Sequence, residues 1–272
     1  MSDEKRGYLD LHEHLAELRQ RGLLLTIDRA VDKDAELHPL VRWQFVGGID
    51  EQERKAFLFT NVIDGRGRKY AFPVVVGALA GNREIYCVGM RCTADEVQAR
   101  WDHAIANPVA PKIVTVAACQ EVVIEGAALL GEGHGLDSLP IPVSTPGFDS
   151  APTLTATNVI TRDPDTGVQN HGTYRAALKA PDRLVVRMAT RVGGAGGYRH
   201  YVKHQKRGDK TMPCAIVLGA PPCVAFVAPQ KMPIDVDEIG VAGGLAGAPI
   251  NMVRARTVDL MVPAEAEFVI EG

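Results

Sequence analysis

Apolar positions Tyr8, Leu11, Leu15 and Leu18 recur at helical spacing and stop at Gly22, which predicts an amphipathic first helix opened by a capping box of Asp10 and Glu13. His12 and His14 stand two apart on that helix. They face different sides, so the pattern predicts two solvent-exposed rings and no shared metal. Residues 23–27 read as a strand and 35–45 as a helix. Residues 56–62 and 70–76 read as strands around the Asp64-Gly65-Arg66-Gly67 turn. A helix over 94–106 follows, with Thr93 as N-cap and Asn107-Pro108 as its stop.

Residues 131–150 are dense in Gly, Pro and Ser and form a long connection, which divides the chain into residues 1–126 and 127–272. Beyond it, Asp163-Pro164-Asp165-Thr166-Gly167 is a turn by mechanism. Pro164 presets φ, Asp165 bonds its own backbone, and Gly167 supplies a positive φ. Strands over 153–160 and 168–178 flank the turn as a hairpin, and 183–190 is a third strand. Residues 213–227 read as two short buried strands broken by Gly219 and Pro221-Pro222. A small-residue helix covers 239–247, with Asp235 as N-cap and Glu238 as the N3 glutamate of a capping box. Strands over 252–262 and 266–270 end the pattern. It describes a mixed α+β chain without repeats.

Composition narrows the function. The formal charge of −3, with Lys and Arg scattered outside 199–210, points away from a nucleic-acid or membrane-surface partner. The five cysteines form no CxxC pair, and reduced thiols in the cytoplasm are the simplest reading. The first residues lack the apolar core of an export signal, and no later apolar run reaches the length of a membrane span.

The candidate chemistry lies on the strand after the turn, where Asn170, Thr173, Tyr174 and Arg175 replace the apolar residues of an ordinary core strand. On a regular strand Asn170 and Arg175 face opposite sides roughly 16 Å apart. A bend at Gly172 returns both to one surface, suited to an elongated ligand; a polar edge strand with a glycine irregularity accounts for the same spacing. The glycine run 192–197 leads into a basic helix, an arrangement that receives anions such as phosphate, with Arg191, Arg199 and Lys203 nearby. His200 and His204 share a helix face at i, i+4 without an HExxH pattern. Glu238 has two readings. It is a helix-capping residue, or it joins Asn170 around Mg²⁺ or Mn²⁺, which favour oxygen ligands.

Taken in order, LPIPVSTPGFDSAPTLTATNVITRDPDTGVQNHGTYR, LGAPP, DEIGVAGGLAG and VDLMVPAEAEFVIEG resemble the UbiD family of decarboxylases, and DLHEHLAELRQRGLLLTIDRAVD and CQEVVIEG resemble its N-terminal domain. The resemblance implies an N-terminal α/β domain followed by a split β-barrel that holds prenylated FMN. Its phosphate is bridged to the protein by Mn²⁺ (or Mg²⁺), with K⁺ nearby. It implies Asn170 and Glu238 as metal ligands, and Thr173, Tyr174, Arg175, Arg187, Met188 and Ala189 as cofactor contacts. Arg175 becomes the catalytic arginine beside the substrate carboxylate. The implied reaction is reversible, non-oxidative decarboxylation of an aromatic, heteroaromatic or α,β-unsaturated carboxylic acid through a covalent adduct with the flavin. A flavin prenyltransferase supplies the cofactor, and the assembly is a homo-oligomer or includes a companion subunit.

Two departures from the family pattern matter. Several relatives place a metal-binding histidine where this chain has Arg191. Arg191, with Gly193 in the glycine run, is then expected to hold the phosphate directly, and His200 is the nearest substitute ligand. The family's catalytic carboxylates lie in a segment resembling EGPxGE that follows the stretch matching Glu271-Gly272, where this sequence stops; Glu271 belongs to the preceding strand. The rival readings are a flavin-binding subunit or fragment that needs another chain for the catalytic acids, and a plain FMN reductase of the split-barrel class.

Overall fold

Asp10 and Glu13 cap the first helix reciprocally: the Asp10 carboxylate accepts the Glu13 N–H at 2.8 Å, and the Glu13 carboxylate accepts the Asp10 N–H at 3.0 Å. In the computed structural model, which describes residues 6–190, 195–234 and 236–272, that helix is the first of seven. The first part of the chain runs α1 (Leu11–Gln20), β1 (Leu24–Ile27), β2 (Val31–Asp32), α2 (Leu37–Val46), β3 (Ala56–Phe59), β4 (Val62–Ile63), β5 (Val74–Val76), α3 (Arg83–Met90), α4 (Val97–Ala106) and β6 (Lys112–Ile113). The second runs β7 (Thr153–Leu154), β8 (Asn158–Arg162), β9 (Gln169–Gly172), β10 (Arg175–Ala180), β11 (Arg183–Arg187), α5 (Gly196–Arg207), β12 (Ala215–Leu218), α6 (Pro222–Val227), α7 (Glu238–Ala246), β13 (Asn251–Arg254), β14 (Met261–Pro263) and β15 (Phe268–Glu271). The fold is mixed α+β.

Two sheets position the site. One is antiparallel and four-stranded, in the order β15-β12-β8-β9, so β9 lies at its edge. The other is three-stranded, in the order β11-β10-β7. The 163–167 turn joins β8 to β9 and Gly167 takes φ 78°, but the carboxylate that bonds the turn backbone is that of Asp163, which accepts the Asp165 N–H at 2.8 Å, and not that of Asp165 as expected. The largest core cluster sets Val224 and Phe226 of α6 and Val241 and Leu245 of α7 against Ile160 and Val217, and it also takes in Met90 and Ala104. This packing sets α7 beside the β9 edge. Among the described residues the sheets are open, with no closed barrel, and no helix is long and apolar enough to cross a membrane.

The structure corrects several expectations. His14 is fully buried, and its Nε2 donates to the Ala78 carbonyl at 2.6 Å. The sequence pattern does not mark α3, which packs on α1 through Leu18, Ile85 and Val88 and encloses that face. Residues 213–227 form one strand and one helix, because Pro221 and Pro222 occupy the start of α6, where a missing N–H is harmless. Residues 252–262 fold back as the β13–β14 hairpin, and the polar strand expected over 168–178 divides into β9 and β10. Residues 94–96 form a 3₁₀ turn before α4, with Thr93 and Glu96 completing a capping box.

Burial lowers the pKa of His14, so the folded chain refuses a proton that the unfolded chain accepts below its ordinary value of 6.5. The stability this group contributes is present above pH 6.5 and is lost as pH falls below it, by at most about 1.4 kcal/mol per pH unit. His14→Gln keeps a donor for the Ala78 carbonyl. It is expected to remove one proton from the acid limb of stability, read as urea midpoints between pH 6.5 and 4.5. An unchanged limb would show that His14 does not control it.

Candidate functional site

The chain leaves β9 at Gly172 and enters the second sheet at Arg175, so residues 172–174 form a hinge between the sheets. Hydrogen bonds pin the hinge. The Thr173 N–H donates to the Ala228 carbonyl at 3.2 Å, and the Thr157 hydroxyl donates to the Tyr174 carbonyl. A Cβ on Gly172 would stand 2.3 Å from the Tyr174 ring, so this tight return requires glycine. Along the hinge opens a cleft of about 490 Å³, lined by Asn170, Thr173, Tyr174, Ala189, Arg199 and Glu238, with the 228–234 segment as one wall. A cleft of this size accepts a small organic ligand.

Glu238 is the first residue of α7, with Asp237 as N-cap; the Asp237 carboxylate accepts the Ile239 N–H at 3.0 Å. It is therefore not the N3 glutamate expected from Asp235, which lies outside the described residues. Only 9% of Glu238 is exposed, and its Oε2 has no hydrogen-bond partner. Desolvation pushes its carboxyl up to about 7, against the opposing pull of its own N–H and that of His171. A buried carboxyl with an unmet oxygen is suited to a cation. Asn170 lines the same cleft, with its Nδ2 directed at the Tyr174 hydroxyl at 3.4 Å. A Cβ on Gly196 would stand 1.6 Å from the Asn170 Oδ1, so the carboxamide lies against the start of α5.

Among the described residues no group of three or more His, Cys, Asp and Glu is placed to share a metal. The chain thus offers Asn170 and Glu238 as oxygen donors. A Mg²⁺ or Mn²⁺ held there needs its other ligands from water and from a phosphate, which is how Mg²⁺ is commonly bound. The N-terminal end of α5 also borders the cleft, where Gly196 and Arg199 line it, and a helix start of this kind is suited to an anion. Salt bridges from Lys203 to Asp163 and Asp165, and from Arg207 to Asp165, tie α5 to the hairpin turn. His200 is buried and packs on the same hairpin, with Nδ1 bonded to the Thr161 hydroxyl at 2.8 Å and Nε2 3.8 Å from Asp163. Burial pushes His200 down to about 4, despite the opposing pull of Asp163.

The remaining sequence-derived residues are distributed around this cleft. Arg175 and Arg187 lie outside its lining, directly opposite each other on β10 and β11, on a sheet face that also exposes Val185. Like charges directly opposite are unfavourable, so this pair is suited to an anion. The Arg175 side chain is 62% exposed and 4.0 Å from the Asp149 carboxylate. Met188 packs inward with Leu154 and Tyr174. Arg191 and Gly193 lie outside the described residues. Sequence reasoning passed over His171, which is fully enclosed with neither ring nitrogen hydrogen-bonded; burial pushes it down to about 3. Its position in a polar strand gave no signal of that burial.

Comparisons with known proteins agree along most of the chain. The family model described as the 3-octaprenyl-4-hydroxybenzoate carboxy-lyase Rift-related domain (UbiD) matches residues 112–272, and the corresponding N-terminal domain model (UbiD_N) matches residues 15–105. Among solved structures, the UbiD-class enzyme HmfF from Pelotomaculum thermopropionicum, in complex with FMN, is 32% identical. The match has a TM-score of 0.81 and covers 97% of this chain and 54% of that one. An evolved dimeric form of the same enzyme, in complex with prFMN, is 32% identical with a TM-score of 0.81, covering 97% of this chain and 56% of that one. The apo 3,4-dihydroxybenzoic acid decarboxylase from Enterobacter cloacae is 27% identical with a TM-score of 0.79, covering 97% of this chain and 53% of that one.

Proposed function

The chain belongs to the UbiD family of carboxy-lyases, and from that premise we propose that it binds prenylated FMN and serves the reversible, non-oxidative decarboxylation of an aromatic, heteroaromatic or α,β-unsaturated carboxylic acid. The observation that carries this reading is the buried Glu238 carboxyl, with its unpartnered Oε2, in one cleft with Asn170 and the start of α5. Asn170 and Glu238 would hold Mn²⁺ or Mg²⁺ beside the cofactor phosphate, with K⁺ nearby. Thr173, Tyr174, Arg187, Met188 and Ala189 border the flavin, and the two sheets around them act as the halves of a split barrel. The protein works in the cytoplasm, as a homo-oligomer or with a companion subunit, and receives its cofactor from a flavin prenyltransferase.

When bound, prenylated FMN supplies the covalent electron-sink chemistry that lets CO₂ leave. The chain's own residues do the rest. Arg175 orients the substrate carboxylate and balances its charge, a role that Arg187 across the ladder reinforces. Met232 and Val236 in the cleft wall limit water near the reacting atoms.

The chain spans about half the length of the solved relatives it matches, and its turnover, substrate and assembly are part of the proposal. The test is anaerobic reconstitution with prenylated FMN and Mn²⁺, reading flavin spectrum, bound metal and CO₂ release across a panel of aromatic and acrylic acids. Wild type is expected to retain flavin and metal, and Arg175→Ala to retain both while losing about 10²-fold in kcat. A folded wild-type chain that retains neither would sink the reading. Retention without turnover, with activity appearing only when a second chain is added, would favour a cofactor-binding subunit.

A further inference from the structure

Tyr174 stands at the hinge between β9 and β10 with its ring in a slot walled by glycines. A Cβ on Gly172 would lie 2.3 Å from its ring carbon and hydroxyl oxygen, and one on Gly197 would lie 3.1 Å from the ring edge. The hydroxyl accepts two bonds, from the Gly197 N–H at 3.2 Å and from the Asn170 Nδ2 at 3.4 Å. Nδ2 is the end bound to the phenol, so Oδ1 is the end laid against Gly196, the closer of the two to a Cβ built there at 1.6 Å against 3.1 Å. A carboxamide turned over would present N–H donors where a cation needs an oxygen. The same phenol oxygen also holds the second residue of α5, so one atom ties the cation-facing side chain to the anion-facing helix end.

We propose that Tyr174 is a positioning residue for the metal: its hydroxyl locks the Asn170 carboxamide with Oδ1 laid against Gly196 and couples that orientation to the start of α5. This rests on the reading of Asn170 as a metal ligand and adds a role for Tyr174 that does not require contact with the cofactor. The interaction acts on the ligand from behind. Such partners are commonly worth 10- to 100-fold in metal affinity.

The experiment measures Mn²⁺ binding by the full chain, from the electron paramagnetic resonance of free Mn²⁺, without any flavin. Tyr174→Phe keeps the ring in its slot and is expected to weaken binding about 10- to 100-fold. In an Asn170→Asp background either oxygen can face the cation, so the same Tyr174→Phe change is expected to cost less than about threefold. In the metal-free ¹H–¹⁵N spectrum, Tyr174→Phe is expected to shift the Asn170 side-chain amide pair and the Gly197 amide. Wild-type affinity in Tyr174→Phe, an equal loss in both backgrounds, or unshifted Asn170 and Gly197 signals would each overturn the proposal. Failure of the wild type itself to bind Mn²⁺ saturably would overturn the metal site and this role together, whereas binding that ignores Tyr174 overturns this role alone.

Discussion

Replacing Glu238 with glutamine is expected to lower Mn²⁺ affinity by about 10³-fold, beyond the 10- to 100-fold typical of a supporting residue, and to flatten the pH dependence of stability in the metal-free chain. The two effects share one cause. Burial pushes the Glu238 carboxyl from its ordinary 4.5 up to about 7, so between those values the folded chain keeps a proton that the unfolded chain releases. The stability tied to this group is therefore fully present below pH 4.5, is lost as pH rises toward 7, and stays lost above it, a difference of about 3 kcal/mol. Mn²⁺ reverses the sign, because it binds the ionised carboxylate; its affinity should rise with pH up to about 7, and its stabilisation should be largest above that. Glutamine keeps the shape but does not ionise, so both the falling limb and the recovery by Mn²⁺ should vanish. Urea midpoints from pH 4.5 to 8, with and without Mn²⁺, read the difference between wild type and variant. A Glu238→Gln chain that still gains stability from Mn²⁺ would remove Glu238 from the site.

The contrast between Glu238 and its neighbours shows what local sequence carries. The 163–167 turn was legible because its residues act on the local backbone, and Gly167 takes its positive φ; the backbone-bonding carboxylate is that of Asp163 and not the expected Asp165, whose side chain pairs with Lys203 and Arg207 instead. The Asp10–Glu13 cap was legible for the same reason. His14 was not, since nothing in residues 8–20 indicates that α3 and the Ala78 carbonyl close over that side. The 222–227 segment, PCVAFV, is apolar at every position, and a short apolar run reads equally as buried strand or buried helix. The paired prolines before it were the better guide. In DVDE either aspartate can cap the following helix by spacing, and the choice of Asp237 moved Glu238 from the third helical position to the first. The cluster of polar residues after the turn was visible in the chain, but the division at Gly172 that sends Asn170 to the cleft and Arg175 to the neighbouring sheet depends on two sheets meeting there.

Gly196→Ala is expected to abolish the cation site as completely as Asn170→Ala while leaving α5 intact. Alanine is the better helix former, by about 1 kcal/mol, so the substitution should not unwind the first turn. The obstacle is space. An added Cβ would lie 1.6 Å from the Asn170 Oδ1 and 2.4 Å from its Cγ, distances at which two atoms cannot coexist, so the carboxamide must leave its place against the helix. Asn170 cannot simply recede, because its Nδ2 is held by the Tyr174 hydroxyl and the Tyr174 ring is confined between Gly172 and Gly197. The displaced side chain therefore loses the place of its oxygen beside the helix start, and Mn²⁺ affinity should fall about 10³-fold, more than the loss of a supporting contact alone produces. Gly208→Ala is the informative contrast. Gly208 ends the same helix at φ 81° with open space around its Cβ position, so alanine there strains the backbone by about 1 kcal/mol and should leave Mn²⁺ affinity unchanged. Circular dichroism, urea midpoints and Mn²⁺ titration of the two variants separate helix stability from the site. Wild-type metal affinity in Gly196→Ala would mean that Asn170 does not hold the cation from this position.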